Sequence, residues 1–582
     1  MARPRRLGTV LALVALVVVA LGAWVGWQAY QVNGSLNAVV DDAESVQAAV
    51  EAGDAPAARA ALDGLQRHSA DAAERTSGLT WRALGHLPFV GDDADGVALA
   101  SDVVAGLGTD GVEPLISVSD DLDSVVPRGA RVDLDALQRL QDPVAAADRA
   151  FTTADERLRG TDSDDFVDRL AVSFRDLTDK VGEAQEAMDA AATALQVMPV
   201  MLGADGPRDY LLVMQNNAEV RATGGLPGAV SVVHTEEGRI SLTRQVAAST
   251  LGRREQPVLP LTPEERELFS TNLGLYVLDA NLTPDWPRAA ALIGARWAET
   301  QPEDPAGVLS IDPVALSYLL EVTGPVQVAG VELTADNAVD ELLHGVYVRI
   351  PDPAAQDEFF RAAAKAVFDR VSGGVADPEL MLRALTRGAR EGRLLVHSFD
   401  AEQQAALAGT TVSGELPTAS TSRPQVGVYL DDTSVGKMSY FLRHDVRAAA
   451  TSCSGGRQRL SGTLRLESVA DPATVGGLPV YITGGGRFGA PVGSQLVVAY
   501  LYGPVGGSVD EVTFNGRPVR AEAAEHEGRP VARVIAELEP GEVTNVEWRM
   551  TTPEGQTGGI DVRTTPSVQP SRSAASYASA CG

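Results

Sequence analysis

"YLLVMQNNAEVRATGG", Tyr210–Gly225, sets an unbroken apolar run directly against a dense polar one. Tyr210–Met214 is apolar at every position, the pattern of a strand covered on both faces. Gln215–Gly225 then packs amide, carboxylate, guanidinium and hydroxyl groups into eleven positions. Ala229–Val233 resumes a strand pattern, and Glu236-Glu-Gly238 marks a turn before a further strand, Arg239–Thr243. A polar loop at the end of a central strand is a preferred place for ligand groups. Arg221 offers five donors in a planar fork that suits phosphate or carboxylate. Gly224 and Gly225 permit positive φ and close backbone approach. Asn217, Glu219 and Thr223 become candidates to orient that fork or a metal-bridged phosphate. The bland reading stands beside this one: such clusters often only close a loop over a core.

Outward from this stretch the pattern alternates. Helix signals cover Pro284–Thr300, Asp312–Thr323, Thr334–Val348 and Ala354–Ser372, with short strands at Val308–Ile311 and Val326–Val328. Asp312-Pro313 reads as an N-cap followed by proline at the first helical position, and Thr334 as an N-cap. Residues 205–410 therefore read as an α/β (α+β) domain. Residues 31–204 carry apolar stripes at helical spacing, the longest through Phe166, Phe174, Val181, Met188 and Leu195, and read as an all-α bundle. Residues 411–425 read as a linker. Residues 426–570 read as a C-terminal β-sandwich, with strand patterns at 458–466, 478–482, 495–502, 509–515, 529–537 and 543–550 and a turn pair at Asn515-Gly516. Residues 571–582 read as a flexible tail.

The chain has 582 residues, enough for several domains, and a formal net charge of −30. That charge repels phosphate backbones and argues against nucleic acid as a partner. Only Lys180, Lys365 and Lys437 are lysines, so nearly all the positive charge is arginine. Residues 1–30 decide the expected compartment. Arg3, Arg5 and Arg6 precede Leu7–Trp27, which are 21 residues without charge, and about 20 suffice to cross a bilayer core. Trp24, Trp27 and Tyr30 fall where an interfacial aromatic belt would lie. The segment reads as a transmembrane signal-anchor with its N-terminus cytoplasmic and the bulk of the chain extracytoplasmic. A cleaved signal peptide is the rival, but it would have a shorter apolar region ending in a small-x-small site. Outside the cytoplasm Cys453 and Cys581 are expected to form a disulfide. There is no His-Glu-x-x-His, no Gly-x-Ser-x-Gly, no Walker loop and no dinucleotide fingerprint.

"YLLVMQNNAEVRATGG", "LDANLTPDWPRAAAL", "GVLSIDPVALSYLLEVTGPVQV" and "LTADNAVDELL" together resemble the bacterial domain-of-unknown-function family 4012 over about 208–410, and "DDTSVGKMSYFLRHDV" extends the likeness to about 446. That family is usually membrane-anchored. More distantly, the same run is similar to the LytR-CpsA-Psr cell-wall glycopolymer transferases. That resemblance implies Arg side chains and Mg²⁺ gripping a polyprenyl-diphosphate-linked glycan destined for peptidoglycan. Arg221-Ala-Thr-Gly224 takes the place of an Arg-Ser-Asp-Thr motif, Asn281–Pro287 that of a helix start, and Leu333–Val339 with Arg349 that of a later Arg-bearing helix. A carboxylate is missing at Thr223, and an Arg is missing where Ala355-Gln-Asp357 stands. Under the resemblance, Arg221 and Arg349 would clamp a diphosphate, and Asp279 or Asp285 would supply a metal ligand. Two functions are expected to compete. One is an envelope protein that binds, and in a stronger form transfers, a phosphorylated lipid-linked glycan. The other is a non-enzymatic scaffold that meets protein partners or its own copies through the helical bundle.

Overall fold

The computed structural model describes residues 31–581 apart from 33, 36–37, 47, 50–53, 88–89, 119–126, 164, 375–376, 435 and 570–573. The expected membrane segment, 7–27, lies outside the described residues. Among the described residues no helix is long and apolar enough to cross a membrane. The chain forms two compact units, Met1–Val125 with Asp133–Pro199 and Val126–Val132 with Val200–Gly582. It is a multidomain α+β protein, with a helical unit and a unit of several sheets and helices.

The first unit is helical among its described residues. Its helices run Ala55–Ser77, Leu79–Leu84, Gly91–Gly106, Glu113–Ser117, Leu134–Arg159 and Asp168–Met201, with a π-helical turn at Leu107–Val112. Asp54 and Asp133 cap two of them by accepting from backbone N–H groups of the first turn. The apolar stripe of the longest helix turns inward, where Phe174 and Val181 are buried with Leu158 and Val103. Phe166 sits just before that helix and meets Phe174 edge-on, with ring centroids 5.3 Å apart.

The second unit begins with β1 (Arg208–Asn216), β2 (Leu226–Glu236), β3 (Arg239–Ala247) and β4 (Gly307–Ile311). It continues with the hairpin β5 (Val326–Val328) and β6 (Val331–Leu333), then β7 (Leu395–Ser398). The first sheet has the order β3-β2-β1-β4-β7, so β1 is its middle strand. Its alternation explains the unbroken apolar run. Leu211 and Val213 enter one core with Trp286, Trp297 and Val308. Leu212 and Met214 face another with Leu316, Leu342 and Phe360. The β2–β3 hairpin closes on Glu237 and Gly238, both at positive φ, which fits the right-handed twist of paired strands. Asp285, Asp312, Asp352 and Asp377 each cap a helix by accepting from a backbone N–H three residues on, and a proline occupies the first turn of all four.

Eleven more strands follow. They are β8 (Gln425–Asp432), β9 (Leu442–Ser454), β10 (Arg457–Ser468), β11 (Gln495–Tyr502), β12 (Ser508–Phe514), β13 (Arg517–Pro518), β14 (Glu522–His526), β15 (Arg529–Leu538), β16 (Val543–Thr551), β17 (Ile560–Thr564) and β18 (Ala574–Tyr577). They form a five-stranded sheet, β13-β12-β16-β10-β9, and a six-stranded one, β14-β15-β11-β8-β17-β18. The two sheets share one core around Leu430, Leu464, Val497 and Trp548. Strand β11 is covered on both faces: Val497, Ala499 and Leu501 point into that core, while Val498, Tyr500 and Tyr502 enter the core of the first sheet. Leu416, in the segment between the sheets, is buried in that same first core. Cys453 and Cys581 form a disulfide.

One local expectation fails. Residues 478–482 are not a strand; Val480–Thr483 is a short helix closed by Gly484 in the left-handed region. A glycine at positive φ ends a helix at little steric cost. Thr334 does cap the helical stretch that follows: its hydroxyl accepts from Asn337 N–H while the Asn337 side chain accepts from Thr334 N–H, and the stretch runs from Ala338 through a π-helical turn, Glu341–Gly345, to Arg349.

Candidate functional site

The polar loop between β1 and β2 is bonded to itself, to β8 and to the side chains of Asn281, Asp279, Asp312 and Lys437. Gln215 is buried, and its Oε1 accepts from the Thr223 hydroxyl, Gly225 N–H and Asn281 amide at 3.0–3.1 Å. Asn281 also donates to Thr223 Oγ1 and to the Gly225 carbonyl. Gly224 stands at φ +135°, and a Cβ on Gly225 would collide with the Asn216 backbone, so the double glycine answers to packing. Asn217 donates to Asp312 Oδ2 at 3.0 Å, and the same oxygen accepts from the fully buried Arg393 at 2.7 Å.

Arg221 is 8 % exposed. It donates to the carbonyls of Val220 and Asp432, at 3.1 and 2.9 Å, and to Asp279 Oδ1 at 3.3 Å. Burial works against its charge, but Asp279, Asp431, Glu219 and Asp432 outweigh burial and raise its pKa. The carboxylates carry the cost. Burial pushes Asp431 up to about 8, against the opposing pull of Arg221 and of the Ala222 N–H that it accepts. Burial likewise raises Asp279 and Asp432. Arg349 is elsewhere: half-exposed, it pairs with Glu341 at 2.8 Å and lies over the Phe359 ring. Arg221 and Arg349 share no partner among the described residues.

The metal suggested by the distant resemblance does not fit the donor set. Asp279 is engaged by Arg221. Both Asp285 oxygens accept backbone N–H groups, from Leu416 and Arg288. Among the described residues no group of three or more His, Cys, Asp or Glu side chains is arranged to hold a metal ion.

Beside the loop lies a cavity of about 250 Å³. Met214, Leu226, Leu316, Leu342, Leu343 and Phe360 supply much of its apolar wall, and its polar members include the carboxylates Glu219 and Asp357, the cations Arg361 and Lys437, and the amides Asn216 and Gln245. Of the residues expected at the site, Glu219 lines this cavity; Arg221, Arg349, Asn217, Thr223, Gly224, Gly225, Asp279 and Asp285 do not. Lys437 forms an ion pair with Glu219 and sits 4.6 Å from the centre of the Tyr347 ring. Burial opposes its charge, yet Glu219 and Tyr347 more than compensate, so it stays a cation. Asn216 donates to Tyr347 Oη at 2.7 Å on the same side. Sequence reasoning missed Lys437, although one of only three lysines in a chain that otherwise uses arginine was a usable signal.

The stretch that builds β1, the polar loop and most of the cavity wall has relatives. Residues 205–347 match the family described as a protein of unknown function, DUF4012. No curated protein and no solved structure matches the chain. The DUF4012 stretch contains Glu219 and Tyr347, whereas Lys437, Phe360 and Arg361 lie outside it.

Proposed function

We propose that the protein is a membrane-anchored, extracytoplasmic envelope protein whose second unit binds a phosphorylated lipid-linked glycan. The observation that carries this reading is the cavity. Its wall is apolar enough to take a hydrocarbon chain, while Lys437, paired with Glu219, and Arg361, paired with Glu358, bring two cations beside Asp357 for a head group. Ligand pockets typically combine such walls with a few placed polar groups. The cation for phosphate is then Lys437 rather than Arg221, because Lys437 lines the cavity and Arg221 does not; a phosphate there would compete with Glu219 for it. The uncharged run Leu7–Trp27 supports the anchor, and the likeness to glycopolymer transferases supports the ligand class. Transfer chemistry has no assigned residue in this reading.

The second reading, a non-enzymatic scaffold, is favoured by the burial of Arg221 within a self-bonded loop. One experiment separates the two. The thermal midpoint of the full chain is followed against a short polyprenyl diphosphate, for wild type and Lys437→Met. Ligand that binds only the native state raises the midpoint with concentration. A rise in wild type that Lys437→Met reduces supports the binding reading. No rise at saturating ligand removes it and leaves the scaffold.

A further inference from the structure

We propose that the outer edge of β15, on the open side of the β-sandwich, takes the C-terminal strand of a partner protein. The strand pairs antiparallel to β15, and its terminal carboxylate is received by Arg520. This site is separate from the cavity beside β1 and does not depend on it.

The argument begins with the tight hairpin of β14 and β15. Glu527 and Gly528 both take positive φ, and His526 faces Arg529 as the closing pair. From that pair the ladder bonds alternate, so Val531 and Arg533 turn their N–H and C=O groups toward β14. By the same alternation Ile535 and Glu537 turn theirs to that side. There β14 is already gone. Its pairing stops at Glu522 with Arg533, whereas β15 runs on to Leu538 and stays paired with β11. The chain leaves the line of β14 at a tight turn. In it Ala521 N–H donates to the Val519 carbonyl, and Val519 N–H donates to the Val512 carbonyl on the other sheet. Among the described residues nothing pairs with the outward backbone groups of Ile535 and Glu537. An unpaired edge of this kind is a template for an added strand.

The same edge opens on a cavity of about 360 Å³, within the usual size of ligand pockets. Phe514, Val519 and Val534 line it at the rim of the sandwich core, and Ile535 lines it while 59 % exposed. Side chains of a strand alternate between faces, so every second residue of an added strand would meet this apolar lining. Charge sets the direction. A strand antiparallel to β15 runs the same way as β14 and ends where β14 begins, at Glu522. Arg520, two residues before Glu522, is exposed, lines the cavity and has no partner among the described residues. The Glu522 carboxylate is already matched by Arg533, which the Leu268 carbonyl also holds at 3.1 Å. A free guanidinium at that end suits a carboxylate. Antiparallel pairing delivers the partner's C-terminal carboxylate to it, whereas parallel pairing would deliver an amino end.

The test uses the full chain in detergent. A library of random heptapeptides displayed with free C-termini is selected on it, and the most enriched peptide is made as the acid and as the amide. Both forms are titrated against wild type, Arg520→Gln and Ile535→Pro. Proline at position 535 deletes an outward N–H that no ladder bond uses, and urea unfolding checks that this variant folds. Arg520→Gln alters an exposed side chain and decides the matter alone if it does not. The expected result is enrichment of peptides with alternating apolar residues, and an acid that binds about tenfold or more tighter than the amide. Arg520→Gln removes that difference, Ile535→Pro weakens both forms, and hydrogen exchange slows at Ile535 and Glu537 in the bound chain. No enrichment, equal binding of acid and amide, a difference that persists in Arg520→Gln, or protection confined to other strands overturns the proposal.

Discussion

Replacing Arg221 by leucine removes the buried guanidinium set among Asp279, Asp431, Asp432 and Glu219. Its side chain is almost wholly buried, so solvent offers the stranded carboxylates little help. Removing one partner of a buried ion pair costs about 3–5 kcal/mol, because the remaining charge stays desolvated. The loss is read as urea unfolding of the full chain followed by tryptophan fluorescence. Trp286, Trp297 and Trp548 are all buried in the second unit and report its transition. The cost depends on pH with a definite sign. Asp431 already titrates at about 8 with Arg221 present, and without the cation it is pushed higher. Protonation removes the charge that Arg221 compensated, so the penalty shrinks as pH falls. Arg221→Leu with Asp279→Asn recovers part of the loss, since two neutral partners replace a broken pair. A penalty below about 1 kcal/mol, the range of an exposed pair, or one equal in acid and base, would refute the claim that Arg221 is a structural cation.

Two further outcomes follow from the second unit. Burial holds His526 neutral down to about 4 despite Glu265 and Glu264 nearby. An unfolded histidine takes its proton near 6.5, so stability falls as pH drops from about 6.5 to about 4, by about 3 kcal/mol. His526→Gln flattens that limb of the stability profile, measured by the same fluorescence. The disulfide joins residues 128 apart, and in the chain-entropy account a closed loop of that size stabilises by about 5 kcal/mol at most. Cys453→Ser with Cys581→Ser lowers the unfolding midpoint of the second unit, and reductant has no further effect on that variant.

Much of the frame was readable because it is local. Tyr210–Met214 is apolar throughout because β1 serves two cores, and Glu237-Gly238 closes a hairpin by its own backbone preference. Asp312-Pro313 starts a helix with two adjacent residues. The site resisted reading because its partners are far apart in the chain. Arg221 meets Asp279 across 58 positions and the Asp432 carbonyl across 211. Lys437 reaches Glu219 across 218. No periodicity encodes such pairings. The strand pattern at 495–502 was legible, but not that alternate residues of β11 serve different cores.

The most direct measurement carries a photoactivatable polyprenyl phosphate into membranes that hold the full chain and maps the crosslinked peptides. The account predicts adducts on the cavity wall, around Leu342–Tyr347 and Phe360, reduced when Lys437 is replaced by Met. Adducts confined to residues 1–30, or an adduct pattern indifferent to Lys437, would contradict it.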